Sequence, residues 1–140
     1  MKIEILYGST TGTTEEIAGK LEAHLSGNQV KVNSVSNHNT DDLKAADIIL
    51  LGSSTWGYGE LQDDFADYID LMTEDVYKGK KVAVFGAGDS VSFSDVFCEA
   101  ITIITDKLST LGAEVIAEPL KIDVSTGIND EAIEAFAKLI

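Results

Sequence analysis

Apolar and polar positions follow two different rhythms along this chain. Continuous apolar runs stand at Ile48-Ile49-Leu50-Leu51 and Val82-Ala83-Val84-Phe85, and a nearly apolar run, Ile3-Glu4-Ile5-Leu6-Tyr7, comes first. Such runs fit strands covered on both faces, as in a parallel sheet. Segment 30–35 is more alternating, with Val30, Val32 and Val35 apolar, and reads as an edge strand. Strands are predicted over residues 2–7, about 29–35, 47–52, 81–87 and 114–118.

Between the runs the period lengthens to that of a helix. Ile17, Leu21 and Leu25 fall four apart within 13–25, and Leu61, Phe65, Ile69 and Met72 form a second stripe over 61–72. Residues 95–111 carry Phe97, Ile101, Ile104, Leu108 and Leu111, and Gly112 then stops the helix. The last stripe is Ile133, Phe136 and Ile140, with Ile128 just ahead, and Thr40-Asp41-Asp42-Leu43 suits the cap of a short further element. Strands alternating with helices predict an α/β fold, a doubly wound five-stranded parallel sheet, in a single domain over 1–140. In such sheets a ligand sits at the carboxyl ends of the strands, near the switch in strand order. That directs attention to the loops at 8–14, 53–61 and 87–95.

Composition narrows the class of function. No apolar run approaches the roughly 20 residues of a membrane span. Met1 leads straight into a strand, which leaves no room for a signal peptide and makes the cytoplasm the expected location. The one cysteine, Cys98, excludes an internal disulfide and a multi-cysteine metal site. Net charge is −14 and all ten basic residues are lysines. Such a chain repels nucleic acid and anionic membranes and attracts a basic protein or a cation.

The first loop, Gly8-Ser9-Thr10-Thr11-Gly12-Thr13-Thr14, packs five hydroxyls and two glycines into seven uncharged positions between a strand and a helix. The first amides of a helix have no partner inside it, and the macrodipole favours an anion there. A phosphate fits such a site without any lysine or arginine. Neither G-x-x-x-x-G-K-[ST] nor G-x-G-x-x-G is present, which speaks against ATP, GTP and NAD. A capping box of Thr13 with Glu16 accounts for Thr13 and leaves Ser9, Thr10, Thr11 and Thr14 unexplained. The second loop, Ser53-Ser54-Thr55-Trp56-Gly57-Tyr58-Gly59-Glu60, holds the only tryptophan, and the third, Gly86 to Asp95, holds Phe93 among small polar residues. Two aromatics on loops beside a phosphate site suit a flat ring between them.

These stretches together resemble the flavodoxin family. The resemblance rests on S-T-T-G-T-T at 9–14, S-T-W-G at 54–57, L-Q-D-D-F at 61–65, G-A-G-D at 86–89 and F-C at 97–98. It covers the whole chain in order, at the length of the short-chain class, and implies strand order 2-1-3-4-5. It further implies that Ser9, Thr10, Thr11, Gly12, Thr13 and Thr14 wrap the phosphate of flavin mononucleotide (FMN), that Ser54 and Thr55 follow the ribityl chain, and that Trp56 covers one ring face. Gly57 would offer its carbonyl to flavin N5, with Tyr58 beside it. Ala87, Gly88 and Asp89 would meet the pyrimidine end, Phe93 would stack where most relatives carry tyrosine, and Phe97 and Cys98 would lie nearby. As a small buried group Cys98 needs no redox role.

The resemblance implies a low-potential one-electron carrier, monomeric and without a substrate of its own. Glu60, Asp63, Asp64, Asp67, Asp89, Asp95 and Glu99 would form an acidic rim around the flavin, disfavouring an anionic reduced ring and steering basic redox partners. Two alternatives share the cofactor: a flavoprotein activator of ribonucleotide reductase and a small NAD(P)H-quinone reductase. A phospho-receiver needs an acidic pair where Tyr7-Gly8 stands, and a low-molecular-weight phosphatase needs a cysteine in the first loop.

Overall fold

The computed structural model describes residues 1–8, 12–56, 60–61, 63–88 and 99–140, with Thr55, Trp56, Glu60, Leu61 and Thr126 described by their backbone alone. The first strand, β1 (Lys2–Gly8), pairs in parallel with β2 (Gln29–Ser34) on one side and with β3 (Ile48–Trp56) on the other. Beyond β3 lies β5 (Lys81–Gly88), and beyond β5 lie β6 (Glu114–Val115) and β7 (Leu120–Asp123), all parallel. A two-residue strand, β4 (Glu60–Leu61), folds back antiparallel on the end of β3. The path β2-β1-β3-β5-β6 is the predicted order, with β6 and β7 sharing the fifth place.

The apolar runs are buried on both faces, as their continuity requires. Ile48, Leu50, Ala83 and Phe85 join Ile17, Leu21, Ile133 and Phe136 under α1 (Thr13–His24) and α6 (Asp130–Lys138). Their neighbours Ile49, Leu51, Val82 and Val84 join Phe65, Ile101, Ile104 and Leu108 on the other face. That face is covered by α2 (Thr40–Ala45), α3 (Asp63–Ile69), α4 (Glu74–Tyr77) and α5 (Glu99–Thr110). Successive strand residues point to opposite faces, so one run feeds both cores. β2 lies at the edge and is only half-buried, as its alternation predicts.

Four details depart from the sequence reading. The strand expected over 114–118 ends at Val115 and resumes at Leu120. Val115 pairs with Val82 and Leu120 with Phe85, so residues 116–119 face only residues 83–84. Pro119 has no amide to give to a ladder, which favours a break there. The helix expected over 61–72 is trimmed to α3, because Leu61 belongs to β4. Trp56 ends β3 and pairs with Glu60, so it lies at the base of a small hairpin rather than on an open loop. The cap of α2 is Asn39, whose side chain accepts from the Asp42 amide, rather than Thr40.

Candidate functional site

The carboxyl ends of β1, β3, β5 and β7 form one continuous shelf. Gly8 pairs with Ser53, Ser53 with Gly86, Ser54 with Ala87, and Gly88 with Asp123. The chain leaves β1 toward β2 on one side and reaches β3 on the other, so the switch in strand order falls between β1 and β3. Two glycines let the sheet and its core pack closely just behind the shelf. A Cβ on Gly86 would stand 2.3 Å from the Ser53 carbonyl oxygen, and one on Gly52 would stand 2.2 Å from the Phe85 ring. Both positions therefore demand glycine.

α1 rises from this shelf beside β1. Its cap is Gly12, at φ 91°, a left-handed conformation that glycine adopts at little cost. The Gly12 carbonyl accepts from the Glu16 amide at 2.9 Å, which places Thr13 at the first helical position and Glu15 at the third. Thr13 is therefore not the cap, and the predicted box with Glu16 does not form. Thr14 is fully buried, and its hydroxyl lies 2.6 Å from the Ser54 hydroxyl. This bond ties the first loop to the second across 40 residues. Ser53, also fully buried, donates its own hydroxyl to the Ser54 carbonyl at 2.9 Å.

α1, α3 and α5 carry Glu15 and Glu16, Asp63 and Asp64, and Glu99 in their first turns. The loops at 8–14, 53–61 and 87–95 contain no lysine. Tyr7, at the end of β1, is partly buried. Burial, and then the nearby Glu15 carboxylate, push this phenol above its ordinary value.

Of the residues singled out in the sequence, Gly12, Thr13, Thr14, Ser54, Ala87 and Gly88 meet on this shelf, with the backbone of Thr55 and Trp56 beside them. Ser9, Thr10, Thr11, Gly57, Tyr58, Asp89, Phe93, Phe97 and Cys98 lie outside the described residues. Sequence reasoning missed Gly52 and Ser53. A glycine directly after each central apolar run was the available signal for Gly52 and Gly86.

A family model described as Flavodoxin matches residues 5–136. A flavodoxin of Synechococcus elongatus is 40% identical over 116 residues, which are 82% of this chain and 68% of that protein. Flavodoxin 1 of Escherichia coli K12 is 38% identical over 112 residues, 80% of this chain and 64% of that protein. The matches thus span about two thirds of the length of these curated relatives. Oxidised Flavodoxin 2 from Bacillus cereus superposes with a TM-score of 0.87 at 37% identity, over 99% of this chain and 97% of that one.

Proposed function

The chain belongs to the flavodoxin family, and from that premise we propose how its own residues do the family's work. FMN is its cofactor, and it carries electrons rather than turning over a substrate. When bound, FMN supplies one-electron chemistry, which the protein binds and tunes. The residues present fit the group. A phosphate monoester asks for several converging donors, and the amides of Thr13 and Thr14, joined by the hydroxyls of Thr13, Ser9, Thr10 and Thr11, offer them without a cation. A planar ring asks for backbone that can come close, and Gly88 ends β5 on this shelf without a side chain.

The observation that carries this assignment is the Thr14–Ser54 hydrogen bond together with the Ser54–Ala87 pairing. These two links join all three candidate loops at the switch point, where flavodoxin-like sheets are a standard example of ligand placement. The phosphate then sits on α1, Ser54 and Thr55 follow the ribityl chain, Trp56 and Phe93 take the ring faces, and Gly57, Tyr58, Ala87, Gly88, Asp89, Phe97 and Cys98 line its edge.

The acidic first turns of α3 and α5, with Glu60, Asp67, Asp89 and Asp95, disfavour added negative charge on the ring and hold the potential low. The same rim recruits basic redox proteins to a monomer. No described helix is long and apolar enough to cross a membrane, and the cytoplasm is the proposed compartment. The purified protein is expected to carry a flavin absorption band, and the stripped protein to take up FMN again. A colourless protein that takes up none overturns the assignment.

A further inference from the structure

A groove of about 180 Å³ lies between α3 and the turn Val35–Asn37, which follows the carboxyl end of β2. One wall is fixed by hydrogen bonds. His38 closes the turn, and its backbone amide and ring Nδ1–H both donate to the Val35 carbonyl, at 3.3 and 2.8 Å. The imidazole meets the Tyr68 ring edge-on, with centroids 4.7 Å apart at 62°. Tyr68 is buried and held in turn, by the Tyr77 hydroxyl at 2.5 Å and by an edge contact with Phe65 at 5.7 Å. Its hydroxyl is thereby used inside the core.

The other wall is Asp64, Asp67 and Leu71. They follow at steps of three and four, which sets them on one side of α3 and of the turn that ends it. Both aspartates are exposed, and Leu71, at 61%, is the most exposed large apolar side chain among the described residues. No lysine lines the groove. Pockets for drug-sized ligands run to roughly 300–1,000 Å³, so this groove has room for one side chain. The side chain that suits it has an apolar stem to lie on Leu71 and the rings, and a cationic head for the carboxylates. Lysine and arginine have that build.

We propose that the groove between α3 and the turn Val35–Asn37 is an anchor site, which seats one lysine or arginine side chain of a basic redox partner. It stands at the carboxyl end of β2, to one side of the shelf, so a partner held there can still face the flavin. The inference rests on the basic-partner reading given above and adds to it a specific point of contact. A diffuse acidic field attracts any cation, whereas a groove with an apolar wall also selects for shape.

The test uses the FMN-loaded, isotope-labelled protein titrated with a cationic haem protein, with affinity read from amide shifts by NMR. At about 0.15 M salt the long-range field is screened and close contacts remain. Asp67→Asn and Leu71→Ser are each expected to weaken binding about three- to tenfold, as the loss of one anchor contact does. Two controls match them in chemistry and lie elsewhere: Glu22→Gln on α1, and Leu139→Ser, where the leucine is 60% exposed. Each control should change affinity by less than about twofold. Combining Asp67→Asn with Leu71→Ser should cost less than the product of the two losses, because both empty one seat. Controls that weaken binding as much as the groove variants, or two groove losses that simply multiply, would overturn the anchor and leave the basic-partner reading standing. Self-association of the wild type that Leu71→Ser abolishes would assign the groove to a second copy and overturn it as well. A wild-type protein that does not bind the haem protein even at low salt overturns both readings.

Discussion

Glu4 lies on β1 at 8% exposure, opposite Lys31 of β2 and near Asp42 of α2. Burial raises its carboxyl above the usual value of 4.5; Lys31 pulls it back down and Asp42 pushes it up. A folded state with the higher value binds the proton more tightly than the unfolded chain does. Its contribution to stability is thus fully present below the unfolded value and is lost as pH rises through the folded one. Glu4→Gln should keep the shape and drop the charge. In urea titrations it is expected to be as stable as wild type or more so at pH 7, with the gap closing below about pH 4. A variant less stable at pH 7 would mean that the attraction of Lys31 outweighs burial. Glu4 also marks what single residues reveal in advance. The hydroxyl-rich loop is legible as an anion site because its composition exceeds what a turn needs. The Thr14–Ser54 bond is not legible, because it depends on a register that brings together residues 40 apart. That Gly12 rather than Thr13 caps α1 is not legible either, because a threonine in front of two glutamates suggests otherwise.

At the scale of elements, long periodic segments read well and short ones do not. β1, β3 and β5 are visible as apolar runs, and α1, α5 and α6 as stripes, because burial on one or two faces imposes the period directly. β4, β6 and α4 have two, two and four residues, too few to show any period. The break between β6 and β7 is a matter of pairing count, which Pro119 hints at without locating. The same logic ranks the contacts between α1 and α6. Phe136 of α6 is 4% exposed in the core that α1 and α6 share with the sheet. Lys20 of α1 meets Asp130 of α6 at 2.8 Å, with the aspartate side chain 70% exposed. A buried aromatic loses both transfer energy and packing when truncated, whereas exposed ion pairs contribute little. Phe136→Ala is expected to cost about 3–5 kcal/mol in denaturant unfolding. Lys20→Ala should leave the midpoint where it is. A Lys20 effect rivalling that of Phe136 would mean that the two helices are held by charge rather than by the core.

Over the whole molecule, the net charge is −14. Acids occupy the first turns of α1, α3 and α5 around the shelf. Lys2, Lys44, Lys80 and Lys81 cluster at the opposite end, where β1, β3 and β5 begin, and Lys80 donates to the Lys44 and Ala46 carbonyls that close α2. If the proposed acidic rim governs the encounter, a partner approaching the shelf meets a negative field whose reach is set by salt: the Debye length shrinks from ~30 Å at about 0.01 M to ~8 Å at about 0.15 M. Electron transfer from the reduced protein can be followed by stopped flow to two acceptors of opposite charge, a cationic haem protein and anionic ferricyanide. Over that salt range the rate to the cation is expected to fall about tenfold or more, within the 10–10³ that steering supplies. The rate to the anion should rise, because the repulsion it meets is screened by the same ions. Replacing Asp63 and Asp64 with Asn and Glu99 with Gln should flatten both slopes together. Slopes of the same sign for the two acceptors would show that the acidic shelf does not govern the encounter, since no single field can attract both charges.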